Sequence, residues 1–172
     1  GPLLRYLGVE PSLPRFRPCH YPATRLQREL ETLLNDPTAS KANRLSLLLG
    51  NADLPATRTV SHTLWAMQGV LPTGSVQSAH KHQSVALDLI LDCDPGCYTL
   101  VGSSCDSEGR IRDPRRIDWQ SGGAFITPPG LWHAHVNESG RAARLLPIQD
   151  AGLHTYLRSL DIRFQGGLRG EE

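Results

Sequence analysis

Two histidine-bearing segments, far apart in the chain, constrain its fold more than any other feature. The first reads Gly74-x5-His80-x-His82, and the second reads Gly122-x5-Pro128-x-Gly130-x2-His133-x3-Asn137. Side chains on a β-strand alternate between its two faces, so a His-x-His pair on a strand points both imidazoles to one side. His133, which follows a Pro-x-Gly turn, can then close a site with His80 and His82. Three neutral imidazoles that leave coordination positions open suit Fe, Mn, Ni, Cu or Zn.

The bulk properties of the chain favour one ordinary globular domain. Its 172 residues, 39% of them hydrophobic and 20% charged, suffice for one well-buried core. The formal net charge of +1 provides neither a basic surface for nucleic acid nor an acidic tail. No apolar stretch approaches the ~20 residues of a membrane span, and no signal-peptide pattern is visible. We therefore expect a cytoplasmic protein that binds neither nucleic acid nor a membrane.

The four cysteines include no Cys-x2-Cys pair; they are Cys19, Cys93, Cys97 and Cys105. A zinc site formed by the last three is one interpretation, but their spacing is poor and no fourth ligand is obvious. Ordinary reduced thiols are the simpler interpretation, and they agree with a cytoplasmic location.

The hydrophobic pattern changes near residue 55. Before it, one helix is predicted from Tyr21 to Asp36 and a second, short helix near Ala42 to Leu49. The first helix carries an apolar face formed by Leu26, Leu30, Leu33 and Leu34. After residue 55, short runs rich in β-branched and aromatic residues alternate with Gly and Pro clusters, which predicts a β-sandwich or barrel. The predicted strands are Thr59–Leu71, Ser84–Leu91, Tyr98–Gly102, Ala124–Thr127, Trp132–Asn137 and Arg144–Ile148.

Three segments complete this organisation. Ser103–Gln120 is predicted to be a long charged loop, and Leu153–Leu160 a short helix. The simplest division is an N-terminal arm with a helix (residues 1–55), one barrel (residues 56–165) and a flexible C-terminal tail (residues 166–172).

The histidine segments resemble the two motifs of the cupin family. The second motif is met at every position, whereas the first lacks its glutamate, where Ala86 and Leu87 stand instead. In this the chain is similar to the gentisate 1,2-dioxygenase group of cupins, which bind Fe(II) with three histidines only. The similarity extends to Leu64-Trp65-Ala66, Gly96-Cys97-Tyr98-Thr99 and Trp132-His133-Ala134-His135. The resemblance implies an all-β fold, the cupin double-stranded β-helix or jelly-roll barrel, with an N-terminal α-helical extension.

The same resemblance implies roles for individual residues. His80, His82 and His133 would hold the metal, Fe(II) foremost, with Mn, Ni, Zn or Cu as other divalent candidates. His135 also faces inward and could be a fourth ligand, a structural histidine or a proton-transfer group; the resemblance favours transfer of a substrate proton. Trp65 would line the substrate pocket, with ordinary core packing as the alternative. Gln68 would line it too, but it lies one residue from the family's pocket glutamine, so a single slip in register would put it outside.

Asp88 is a departure from that group, which has an arginine there that helps to hold the substrate carboxylate. Asp88 shares strand parity with His80 and His82 and is therefore expected to face the barrel interior. A buried lone carboxylate is costly, so we expect either a basic partner such as Arg44 or Arg58, or a cationic or hydroxyl-bearing ligand.

The resemblance implies a non-haem Fe(II) ring-cleaving dioxygenase that acts on a small hydroxylated aromatic substrate with O2. The alternative is a non-oxidative metal-binding cupin, such as an isomerase, a lyase or a small-molecule binding module. Asp88 and the single pair of motifs favour this alternative, whereas the missing glutamate favours the dioxygenase. The barrel edge and the apolar face of the first helix make a homodimer an expectation.

Overall fold

Two five-stranded antiparallel sheets form the body of the molecule in the computed structural model, which describes residues 6, 8, 16–39 and 44–165. The elements in chain order are α1 (Ala23–Leu34), β1 (Leu45–Leu48), β2 (Trp65–Leu71), β3 (His80–His82), β4 (Ala86–Asp92), β5 (Cys97–Gly102), β6 (Arg115–Asp118), β7 (Ala124–Thr127), β8 (Trp132–Asn137), β9 (Ala143–Gln149), α2 (Ala151–Tyr156) and β10 (Ile162–Phe164). One sheet has the order β1-β2-β9-β4-β7 and the other β10-β3-β8-β5-β6. This architecture confirms the predicted all-β barrel with a helical extension.

The space between the sheets has an apolar end and a polar end. The apolar end is a cluster of buried side chains from both sheets: Leu71, Ile90, Cys97, Trp119, Ala143 and Leu145. Strand pairing places the polar inward residues at the other end, away from this cluster. At that end Gln149 lies opposite Trp65 and Ala86, and His133 lies opposite Val101. The buried histidines therefore lie on the inner face of a barrel whose far end is closed by hydrophobic packing.

The N-terminal helix packs on the outside of the first sheet. Its buried Leu30 contacts Leu45 of β1 and Val70 of β2, and Leu33 and Leu34 pack against the same cluster. The predicted helix from Tyr21 to Asp36 is thus confirmed, with observed bounds at Ala23 and Leu34. Its apolar face is largely used within the chain.

The predicted second helix near Ala42–Leu49 is wrong. Leu45–Leu48 is a strand that pairs in antiparallel register with β2, from Leu45 opposite Val70 to Leu48 opposite Met67. A short run of leucines fits a helix or a strand equally well by pattern, and here pairing with a sheet edge decides the conformation.

Other boundaries also move. The predicted Ser103–Gln120 loop contains β6, which extends the second sheet and stacks Arg116 over the Tyr98 ring at 3.6 Å. β2 begins at Trp65 and not at Thr59, and the C-terminal helix is Ala151–Tyr156. The division at residue 55 stays a prediction, and the tail at residues 166–172 lies outside the described residues. No helix in the described part of the chain is long and apolar enough to cross a bilayer.

Candidate metal centre

Three histidines from two neighbouring strands converge inside the barrel. His80 and His82 share one face of β3, and His133 on β8 lies directly opposite His80. One ligand nitrogen from each ring lies within 4.8 Å of the others, and all three residues are buried. In the described part of the chain this is the one cluster of histidine, cysteine and acidic side chains with such geometry. The convergence predicted from the spacing is therefore present.

The Pro-x-Gly turn brings the third histidine to the first two. Gly130 has φ +77°, a backbone conformation that side chains with a Cβ rarely adopt, and no neighbouring atom would otherwise exclude a larger residue. The Gly130 amide donates to the carbonyl oxygen of His82 at 2.8 Å. This bond ties the start of β8 to the end of β3, so that His133 follows in the right place.

Backbone carbonyls orient each of the three rings. The Nδ1 atoms lie 3.2 Å from the Ser78 carbonyl for His80, 2.9 Å from the Ser84 carbonyl for His82, and 3.1 Å from the Leu131 carbonyl for His133. A carbonyl only accepts, so each Nδ1 carries the proton and each Nε2 presents a lone pair. His82 Nε2 is buried and has no hydrogen-bond partner. This donor set fits a metal ion.

The surroundings keep the imidazoles neutral, which is the form that binds a metal. Burial, and next His82, lowers the pKa of His133 to about 3. Burial is also the main cause that depresses the pKa values of His80 and His82. Three neutral nitrogen ligands with no carboxylate among them leave coordination positions open for other molecules.

His135 lies beside the cluster. Its ring centroid is 6.0 Å from that of His133, and Nδ1 lies 2.8 Å from Thr99 Oγ1. Trp119 Nε1 donates to the same hydroxyl at 2.8 Å. A hydroxyl that accepts from the indole can still accept from or donate to Nδ1, so Thr99 supports either tautomer of His135. Interconversion of tautomers is what a proton relay requires.

Asp88 faces the interior, as its strand parity predicts. It is 2% exposed, in the middle of β4 between Phe125 of β7 and Pro147 of β9. Burial raises its pKa to about 6, against the opposing effects of Arg44 and Thr127. Arg44 is therefore the basic group near Asp88 that the sequence suggested.

The other two predicted pocket residues lie on opposite faces of β2. Trp65 is opposite Gln149, whose side chain accepts a hydrogen bond from buried Ser84 at 3.0 Å, so Trp65 has inward parity. Gln68 is opposite Leu47, on the outer side of the sheet that α1 covers. The structure therefore does not bring Gln68 to the histidines, and its inward neighbour Met67 contacts Arg44 instead, with Sδ 3.3 Å from Nη1.

Known dioxygenases are similar to this chain in sequence and in structure. Gentisate 1,2 dioxygenase 1 of Aquipseudomonas alcaligenes is 35% identical over 105 residues, which make up 60% of this chain and 26% of that protein. The crystal structure of salicylate 1,2-dioxygenase from Pseudaminobacter salicylatoxidans matches 99% of this chain and 49% of that chain, with a TM-score of 0.74 and 18% identity. Its adducts with gentisate (from Pseudoaminobacter salicylatoxidans) match with a TM-score of 0.71 and 19% identity, over 95% of this chain and 45% of that chain. No family model matches.

The chain has a cupin fold and is similar in sequence to a gentisate dioxygenase. It spans 26% of the length of the curated relative and 49% of the solved dioxygenase chain. The chain has the three-histidine cluster that the sequence predicted, in a site that suits one metal ion.

Sequence reasoning missed some of the residues that support these histidines. Thr99 and Trp119 hold His135, and Ser84 with Gln149 supports the ring of His82. Thr99 falls in the Gly-Cys-Tyr-Thr run that carries part of the resemblance, but nothing in the spacing marks it as a neighbour of His135. The four cysteines are free and join no metal cluster among the described residues.

Proposed function

We propose that this cupin binds Fe(II) through His80, His82 and His133 and cleaves the ring of a small hydroxylated aromatic substrate with O2. One observation carries the proposal: three buried neutral imidazoles converge with Nε2 free and without a carboxylate ligand. When bound, Fe(II) supplies Lewis acidity and redox capacity for oxygen chemistry. The relatives named gentisate and salicylate dioxygenase support this reaction class.

The side chains of the barrel would bind the substrate and move its proton. His135 would exchange a proton with a substrate hydroxyl, because Thr99 can follow the change of tautomer by rotating its own hydroxyl. Trp65 would offer a flat apolar surface to the ring, and Asp88 would contact a polar substituent. The apolar cluster at the closed end would keep bulk water away from the reacting groups.

An oxygen-uptake assay tests this proposal directly. The purified chain is loaded anaerobically with Fe(II), its metal content is measured, and O2 consumption is followed with a panel of mono- and dihydroxylated aromatics. We expect substrate-dependent uptake, loss of uptake after chelation, and a ring-opened product by mass spectrometry. If the chain is fully metal-loaded and consumes no O2 with any substrate, the function is instead that of a non-oxidative cupin. Asp88, in place of a carboxylate-binding arginine, is the observation that favours that second function.

We also propose that two copies of the chain associate through the outer face of β4 and β7. Leu87, Leu91 and Ile126 are exposed there, and Leu87 pairs with Ile126 across the strands. Exposed apolar area of this kind is typical of interaction sites. Light scattering should give twice the chain mass for the wild type and the single chain mass for Ile126→Lys. Val76→Lys, at an exposed valine on the other sheet, is the control that should leave the dimer intact. A cytoplasmic location stays a prediction.

A further inference from the structure

Asp88 and Arg44 place two opposite charges inside the barrel. Arg44 Nη1 reaches Met67 Sδ on the inner face of β2 at 3.3 Å. The charge of Arg44 shifts the pKa values of Asp88 and of the four inward-facing histidines, so its guanidinium lies close enough to both groups to affect their charges. Among the ion pairs of the described residues, none joins Arg44 directly to Asp88. The two charges thus balance across the interior without closing into a contact pair.

A second polar group, the Thr127 hydroxyl, lies beside Asp88 and makes no hydrogen bond of regular geometry. Thr127 on β7 pairs with Ala86, two residues before Asp88 on β4, and is 0% exposed. Its hydroxyl is close enough to Asp88 to lower the pKa of that carboxyl, yet Oγ1 makes no regular hydrogen bond. Buried hydroxyls nearly always have a partner, and an unsatisfied one is costly. The carboxylate and the hydroxyl together form a wall that can accept hydrogen bonds from a ligand.

We infer that Asp88, with Thr127, selects a neutral substrate: a hydroxylated aromatic ring without a carboxylate, one of whose hydroxyls donates a hydrogen bond to Asp88. This inference rests on the proposed function and names the substrate class of the same site. Asp88 repels an anion such as a ring carboxylate, and Arg44 repels a cation such as a protonated amine. A neutral hydroxyl can donate a hydrogen bond to Asp88 or Thr127, and it adds no charge that Asp88 or Arg44 would repel.

Two matched ligand pairs test the inference: hydroquinone against 2,5-dihydroxybenzoate, and catechol against 2,3-dihydroxybenzoate. Each pair has the same ring hydroxyls and differs in one carboxylate. Equilibrium binding to the Fe(II)-loaded chain is measured without oxygen at about pH 8, where Asp88 is ionised. We expect the neutral member to bind at least about tenfold more tightly in both pairs. Tighter binding of either carboxylate to the wild type overturns the inference.

Variants assign the preference to the acceptor wall. Asp88→Asn should abolish the preference, and Asp88→Arg should reverse it. Thr127→Val, which keeps the shape and removes the hydroxyl, should weaken binding of the neutral member about three- to tenfold, since it removes one hydrogen bond. Asp92→Asn changes an exposed acid on the same strand and should leave the preference unchanged. If Asp88→Asn folds and keeps the wild-type preference, or if Thr127→Val binds the neutral ligand as tightly as the wild type, the assignment is wrong.

This experiment separates the inference from the proposed function, because binding without oxygen requires no turnover. A chain that prefers the neutral ligands but consumes no O2 with them retains the inferred specificity and loses the dioxygenase proposal. A chain that consumes O2 only with the carboxylate ligands retains the dioxygenase proposal and loses the inferred specificity.

Discussion

Replacement of His80 with alanine is expected to abolish metal binding and, with it, oxygen consumption. The ring centroid of His80 lies 4.0 Å from that of His133, and His80 supplies one of only three ligand nitrogens in the cluster. Loss of a partner outside the ligand set typically lowers metal affinity about 10–100-fold, and loss of a ligand should exceed that range. Metal content after dialysis should fall from one ion per chain to near zero. His20→Ala, at an exposed histidine outside the barrel, should keep the full metal content.

His135→Gln provides the contrasting result. The glutamine can keep a hydrogen bond to Thr99, and His135 is outside the three-ligand cluster, so metal content should stay at the wild-type level. Substrate-dependent O2 uptake should nevertheless fall about 10²- to 10⁴-fold, the range expected when a positioned acid–base group is lost. A loss of metal from this variant would make His135 a fourth ligand and not a proton relay. A His80→Ala variant that retains one tightly bound ion would reject the metal centre altogether.

The parts of this site that could be predicted are those that local geometry determines. Strand alternation places His80 and His82 on one face of a strand. The Pro128-x-Gly130 turn requires the positive φ that glycine adopts, so the sequence alone could place His133 beside them. Asn137 belongs to the same motif for a structural reason. Its amide donates to the carbonyls of Leu71 and Arg141 at 2.9 Å each, which ties β2 and the β8–β9 turn together.

The parts that could not be predicted depend on pairing between distant strands. The run of leucines in Leu45–Leu48 fits a helix or a strand equally well. It is a strand because it pairs with β2, which begins at Trp65. The strand register likewise decides which way Gln68 faces. A shift of one residue exchanges the two faces of a strand, and the observed pairing turns Met67 inward and Gln68 outward. The approach of Arg44 to Asp88 requires both of these results, so the sequence could suggest the pair only as one option.

Asp88→Asn is expected to raise the free energy of unfolding of the metal-free protein more at neutral pH than in acid, when each value is compared with the wild type. The pKa of Asp88 is 3.8 in an unfolded chain and about 6 in the folded protein, with burial as the main cause. Between these values the folded state holds a proton that the unfolded state has released, so the wild type loses stability as the pH rises from about 4 to about 6. A shift of this size corresponds to about 3 kcal/mol. Asparagine does not titrate, so the variant escapes this loss.

Urea unfolding across a pH series measures this effect. The buried histidines titrate in both proteins, so their contribution largely cancels in the difference between the variant and the wild type. That difference in the free energy of unfolding should grow by about 3 kcal/mol between about pH 4 and about pH 7, and then stay level. Asp92→Asn should behave in the opposite sense, because the side-chain bond to Arg141 holds the pKa of Asp92 below its ordinary value. That exposed carboxylate stabilises the fold only when it is ionised, so its removal costs stability at neutral pH.

A difference that does not change with pH would mean that Asp88 is not destabilised by burial, and would remove the physical reason to regard it as more than a structural acid. The expected result has a functional consequence. A carboxylate that lowers stability at neutral pH, where asparagine would fit the same space, is typical of a site at which stability is lost in exchange for function. Because Arg44 offsets only part of the burial effect, the remaining cost is relieved when a ligand hydroxyl donates to Asp88. Ligand binding should therefore stabilise the wild type more than Asp88→Asn, and more above pH 6 than below it.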